Sequence, residues 1–291
     1  MASCVFTAVC FALLGMAAAS CGNSATCESC VAQLGCFFNA VTNACQSKGL
    51  FNINSSNGTA FVDRAYDCPR PLADYDDDFA RNVAYVYAAA SNGNVQEIQA
   101  CLNNRIPGAV VVSQYTVPCD IFKSNCSGYV ALNHENETIT VVFRGTKGST
   151  QFYYEAINLI LYLDKEVPFF GGQVFSYFLN AFQLLWDAGI GEDLEELSIL
   201  YPYYELQAFG HSLGGSLASL TALAAVKKNY FHSDNVLLYT FGQPRTGDVK
   251  YATEHDENVP NSFRIVHAED LVSQAPLRLG YYQTTAYHHR Y

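Results

Sequence analysis

Apolar positions along this chain of 291 residues recur with two different periods. Short β-branched or apolar runs at residues 138–144 (TITVVFR), 204–209, 236–241 and 263–266 predict strands. Between them, Val174, Phe178, Leu179, Phe182 and Leu185 share one face at helical spacing. Residues 213–228, rich in Ala and Leu, predict a second helix, and a third helical stretch is predicted around residues 249–255. Residues 74–90 open with Asp74, Asp76, Asp77 and Asp78 and run into alanines, as a helix does when carboxylates gather at its positive end. Strands alternating with helices in this order predict an α/β fold, with a largely parallel central sheet and helices on both faces.

The start of the chain follows a different pattern. An apolar run from Val5 to Ala19 ends in small residues, as a cleaved secretory signal does, and at about 15 residues it is short of the roughly 20 that span a bilayer. No Lys or Arg precedes it. Residues 1–20 are therefore read as a signal peptide, residues 21–50 as a Cys-rich module, residues 51–73 as a linker and residues 74–291 as the main domain. The apolar stretches 167–186 and 206–226 are interrupted by Gly and polar residues and are read as globular core, so no transmembrane segment is expected.

Cysteine usage agrees with export. Eleven are present; without Cys4 and Cys10 of the leader nine remain, and Cys21, Cys27, Cys30, Cys36 and Cys45 crowd together at the density of a disulfide framework. A zinc site at Cys27 and Cys30 would need a second ligand pair that the neighbourhood lacks, so no metal is expected. An odd count leaves one thiol free, paired between chains, or signals a different cleavage point. Sequons at Asn54, Asn57, Asn125 and Asn136 fit a glycosylated, extracellular protein. The net charge of −11 opposes binding to polyanions, which sets nucleic acid aside.

Residues 210–214 read Gly-His-Ser-Leu-Gly, between a predicted strand and a predicted helix. That is the setting in which Gly-x-Ser-x-Gly carries chemistry: the tight turn lifts a serine hydroxyl above the sheet, and glycines relieve the collisions. Ser212 is the candidate nucleophile, and the Leu213 N–H at the helix start is a candidate oxyanion donor. A serine needs an imidazole to take its proton and a carboxylate to orient that imidazole. The acids after Ser212 include Asp234, Asp248, Glu269 and Asp270. Asp270 follows a predicted strand at the end where α/β sites gather. Two histidines follow it, His288 and His289.

Three segments together, VVFRGT (141–146), GHSLGG (210–215) and TFGQPRTGD (240–248), resemble the class 3, fungal-type triacylglycerol lipases, over roughly residue 74 to the end. The Cys-rich start looks more like secreted animal, nematode-type members. The resemblance implies an α/β-hydrolase fold, hydrolysis of carboxylic esters of lipids through an acyl-enzyme, no cofactor, and a triad in the order Ser, Asp, His. It implies Asp270 as the acid, through RIVHAEDLV, and His288 as the base, with His289 the alternative. The family's Glu-x-Trp anchor after the base is absent here. It further implies Thr146, directly after FRG, as the second oxyanion donor. Residues 152–163 (FYYEAINLILYL), with one charge, match either the family's lid or a buried helix. The alternative expectations are a lipid-binding pseudoenzyme with the fold kept and the C-terminal histidine displaced, and a recognition module that carries a hydrolase.

Overall fold

The computed structural model describes residues 21, 24, 26–39, 42–47, 61–63, 68, 74–119, 125–145, 165–268 and 270–276, with the backbone alone of 281–282 and 287–290. The expected signal peptide, the sequons at Asn54 and Asn57, and residues 152–163 lie outside these. Contacts divide the chain into two units, residues 1–70 and 71–291.

In the first unit, Thr26 caps helix α1 (Cys27–Val31) through a capping box with Ser29. The helix buries Cys27 and Cys30, three residues apart and so on one face. Strands β1 (Cys36–Asn39) and β2 (Ala44–Ser47) form an antiparallel hairpin, and β3 (Phe61–Val62) pairs with the other edge of β1. Disulfides join Cys21 to Cys36, Cys27 to Cys68, and Cys30 to Cys45. Both sulfurs of the Cys27-x-x-Cys30 pair are consumed in this way and offer no thiolate to zinc. Strand β3 and Cys68 fall inside the stretch expected to be a linker, and a strand ladder and a disulfide tie them into this unit. Polar composition over residues 52–59 carries no sign of either bond.

The second unit starts with a continuous helix α2 over residues 77–90, α-helical at both ends with a π turn at Ala80–Ala84. The Asp76 carboxylate caps it by accepting the Phe79 N–H. Helix α3 (Val95–Arg105), capped by Asn94, leads into β4 (Ala109–Pro118), β5 (Asn125–Asn133) and β6 (Thr138–Phe143). The short hairpin of β7 (Glu166–Phe169) and β8 (Gly172–Phe175) follows, then α4 (Ser176–Leu185) and α5 (Gly191–Leu200). The remaining elements are β9 (Glu205–His211), α6 (Leu213–Lys227), β10 (Val236–Phe241), β11 (Gly247–Asp248), α7 (Val249–Asn258), β12 (Asn261–Val266), β13 (Tyr281–Tyr282) and β14 (Tyr287–Arg290).

The main sheet runs β14-β12-β10-β9-β6-β5-β4. Strands β6, β9, β10, β12 and β14 are parallel, while β4 and β5 add an antiparallel edge. This is the α/β-hydrolase arrangement, largely parallel as expected. The antiparallel edge arises because β5 and β6 are joined by only four residues, too few for a parallel crossover. Alternate strand residues feed two cores: Ile139, Val141, Phe143, Leu206 and Ala208 pack on one face, Val142, Phe209, Tyr239 and Phe263 on the other. Helix α6 is apolar nearly all round and packs on β9, β10, α4 and α7. The helix expected from Val174 begins at Ser176, since Val174 and Phe175 belong to β8. Two apolar residues there satisfy both periods, and the turn at Phe170 and Gly171, both with positive φ, decides for the hairpin.

Candidate active site

Strand β9 ends at His211 and α6 begins at Leu213, so Ser212 alone makes the turn. Its backbone lies at φ 54° and ψ −123°, a conformation that costs a non-glycine residue roughly 1–3 kcal/mol. The surroundings impose it. The Ser212 N–H donates to the Phe241 carbonyl at 2.9 Å, and the Gly215 N–H donates to the Ser212 carbonyl at 2.9 Å. The flanking glycines are required by close approach: a Cβ on Gly210 would stand 2.1 Å from the Gly214 carbonyl oxygen, and one on Gly214 would stand 2.1 Å from that of Phe143. The elbow is thus jammed against the end of β6. Ser212 is buried, and its Oγ has no hydrogen-bond partner among the described residues. The Leu213 N–H belongs to the first turn of α6, whose donors have no intrahelical acceptor.

Two other glycines show what surrounds this turn. A Cβ on Gly145, just after β6, would lie 3.5 Å from Ser212 Cβ and 3.2 Å from His211 Nδ1. The FRG segment therefore ends over the elbow; Thr146, the next residue, is outside the described part. A Cβ on Gly242, just after β10, would lie 2.8 Å from Asp270 Oδ2 and 3.8 Å from His211 Nε2. The Asp270 carboxylate thus sits at the same end of the sheet as Ser212, and its Oδ1 accepts the Val272 N–H at 3.0 Å.

The other candidate acids have different employment. Asp248 caps α7, its Oδ1 accepting the N–H groups of Tyr251 at 2.8 Å and Gln173 at 3.0 Å. Asp234 lies 3.5 Å from His232 with both side chains exposed. Glu269 is not described.

Backbone register places His288 opposite Arg264 and His289 opposite Ile265 on β12, the strand whose end leads to Asp270. Their side chains lie outside the description. One neighbour has no signal in the motif pattern: His211, read from sequence as structural, lies next to Asp270. The residue as a whole is exposed. Burial by the protein packed around it still lowers its pKa, and the Asp270 charge pulls the other way.

With a strained serine at a strand-to-helix turn and a carboxylate at the same strand ends, the comparison with known proteins becomes decisive. The family described as lipase (class 3) matches residues 140–280. Over this stretch the chain is similar to the class 3 lipases. Lipase ZK262.3 of Caenorhabditis elegans is 33% identical over 208 residues, covering 70% of this chain and 56% of that protein. The secreted mono- and diacylglycerol lipase A of Penicillium cyclopium is 29% identical over 198 residues, covering 66% of this chain and 58% of its own length. The chain thus spans little more than half the length of these lipases. Among solved structures, the Rhizomucor miehei triacylglyceride lipase superposes with a TM-score of 0.57 at 23% identity, over 72% of this chain and 80% of that one. The Rhizopus microsporus var. chinensis lipase does so with a TM-score of 0.56 at 21% identity, over 73% and 77%. At such identities these two likenesses speak for the fold alone. No described helix is long and apolar enough to cross a membrane.

Proposed function

We propose that this protein is a secreted serine hydrolase that cleaves carboxylic esters of lipids through an acyl-enzyme on Ser212. The observation that carries the reading is the elbow itself: a buried serine held at positive φ between β9 and α6, with Asp270 at the same strand ends. Backbone strain of this kind persists where the surrounding fold over-determines it, and it leaves the hydroxyl projecting from the turn.

In this reading His288 takes the Ser212 proton as the oxygen attacks the ester carbonyl. Asp270 orients the imidazole and balances its charge once protonated. The Leu213 N–H and the backbone N–H of Thr146 receive the oxyanion. The protonated histidine then gives its proton to the leaving alcohol, and water repeats the sequence to release the acid. The lipid class of substrate is drawn from the similarity to class 3 lipases. The extracellular setting is drawn from the four disulfides among the described residues and the signal-like start. A lipid-binding pseudoenzyme would keep the fold and lose the chemistry.

Covalent labelling separates the two. A fluorophosphonate should modify Ser212 in the wild type and nothing in Ser212→Ala, whose turnover of a soluble short-chain ester should fall on the order of 10⁶-fold. A wild type inert to the reagent, or a Ser212→Ala variant with near-normal turnover, would end the proposal.

A further inference from the structure

Asp270 lies on a loop, and a carboxylate on a loop orients nothing unless the loop is fixed. Two buried arginines hold this one. Arg264, on β12, is completely buried. Its Nε and Nη2 donate to the Gln243 carbonyl at 3.0 and 2.7 Å, and Nη2 also donates to the Ser273 carbonyl at 2.5 Å. Arg245, from the TFGQPRTGD segment, works on the residues that follow. Its Nη1 donates to the carbonyls of Gln274 and Pro276, and its backbone N–H donates to that of Ala275 at 2.8 Å. Four consecutive carbonyls, 273 to 276, are therefore held by the two arginines. Asp270 is bonded into the same stretch, because the Ser273 hydroxyl donates to its carbonyl at 2.7 Å and its own carboxylate accepts the Val272 N–H.

The other end of the clamp reaches the nucleophile's helix. The Gln243 side-chain oxygen accepts from Thr240 at 2.7 Å, and its amide nitrogen donates to the Thr246 hydroxyl at 3.0 Å. That hydroxyl lies 3.0 Å from the Ser216 hydroxyl, four residues past Ser212 on α6. Side chains of Thr240, Gln243, Thr246, Ser216 and Arg264 are all buried, so the contacts run in a low-dielectric interior where each is costly to leave unmade. Burying a guanidinium costs several kcal/mol, so a core that needed only filling would be served as well by apolar residues. A planar fork can reach two carbonyls from different segments at once; an ammonium on a flexible stem cannot fix their separation in the same way.

We infer that Arg264 and Arg245 are positioning residues, which set the distance and direction of the Asp270 carboxylate relative to Ser212 by clamping its loop to the Gln243 network. This rests on the triad reading above. A displacement of about 1 Å at a catalytic group is worth up to roughly 10²-fold in rate, so the conservative change is informative.

The test is a double-mutant cycle in the full chain, read as turnover of a soluble p-nitrophenyl ester and as the rate of fluorophosphonate inactivation. Arg264→Lys should lower kcat about 10- to 100-fold with KM changed less than about twofold. Asp270→Asn should lower kcat on the order of 10⁴-fold. The double variant should be no slower than Asp270→Asn alone, because a clamp has nothing left to position. Arg245→Lys keeps the backbone bond to Ala275 and serves as the second variant if Arg264→Lys does not fold; the same non-additivity is expected. Multiplicative losses in the double variant, or a KM rise with kcat unchanged, overturn the clamp and leave the triad standing. Wild-type turnover by Asp270→Asn overturns the triad reading and the clamp with it.

Discussion

The two units of this chain solve the problem of staying folded in opposite ways. Among the described residues of the first, the buried cluster joins five cysteines to Phe38 and Val62. The second buries two continuous apolar layers on a seven-stranded sheet and uses one disulfide, Cys119 to Cys126. A unit of at most 70 residues buries a smaller share of its surface against its chain entropy and takes covalent help, whereas one of over two hundred does not need it. The difference teaches where each kind of damage should fall: bond breakage in the first unit, and misplacement of a few atoms in the second.

The largest expected effect is chemical and confined to the second unit. Adjacent residues on an extended segment are expected to point to opposite faces, so one of His288 and His289, not both, is expected to serve Ser212. His288→Ala should lower ester turnover by up to the order of 10⁶-fold, and His289→Ala should change it little. Steady-state kinetics on both variants decides it. A dead His289→Ala with an active His288→Ala shifts the assignment by one residue. Normal turnover in both removes β14 from the mechanism.

Next in size is the contrast between disulfides. Cys27–Cys68 closes a span of 41 residues and Cys119–Cys126 one of 7. On loop entropy alone the first is worth about 4 kcal/mol and the second about 2.5 kcal/mol. Their surroundings widen the gap, since β4 and β5 are already paired by their ladder next to Cys119–Cys126. Replacing Cys27 and Cys68 by Ser should melt the first unit, seen by hydrogen exchange at residues 26–47, and leave soluble-ester turnover unchanged. Replacing Cys119 and Cys126 should lower the melting point of the second unit by a few degrees. Loss of turnover in the first variant would show that the two units do not divide the work as drawn.

How much of this could be read from the letters follows the same division. Alternating strands and helices, the elbow at Ser212 and the position of Asp270 after β12 all rest on local patterns of spacing, and local patterns survive in a sequence. The antiparallel pair of β4 and β5 was not legible: Val110, Val111 and Val112 on β4 carry no mark of strand direction. The role of Cys68 was hidden because its partner is 41 residues away and connectivity is not encoded in spacing. His211 beside Asp270, and Arg264 beneath the loop, depend on contacts across β9, β10 and β12 that no window of sequence contains.

The smallest effect expected is a pH dependence that should appear in one unit and not in the other. All seven histidines lie after residue 133, so the first unit has none. Burial holds the His211 pKa below its usual value in the folded state, while Asp270 pulls it up. The unfolded chain therefore takes its proton first. Above about pH 6.5 the ring is neutral in both states and contributes no slope. As the pH falls below that value the unfolded state gains the proton and the folded state resists, so stability declines until the lowered folded-state pKa is passed. His211→Asn should therefore flatten the decline in the second unit's melting temperature between pH 7 and pH 5. Asp270→Asn, by removing the charge that favours the imidazolium, should steepen it. The effect is small because His211 is an exposed residue, and solvent screens both influences. Melting of the first unit should not change across the same range. An identical slope in wild type and His211→Asn would mean that the imidazole is solvated well enough for Asp270 and the surrounding protein to leave it unperturbed.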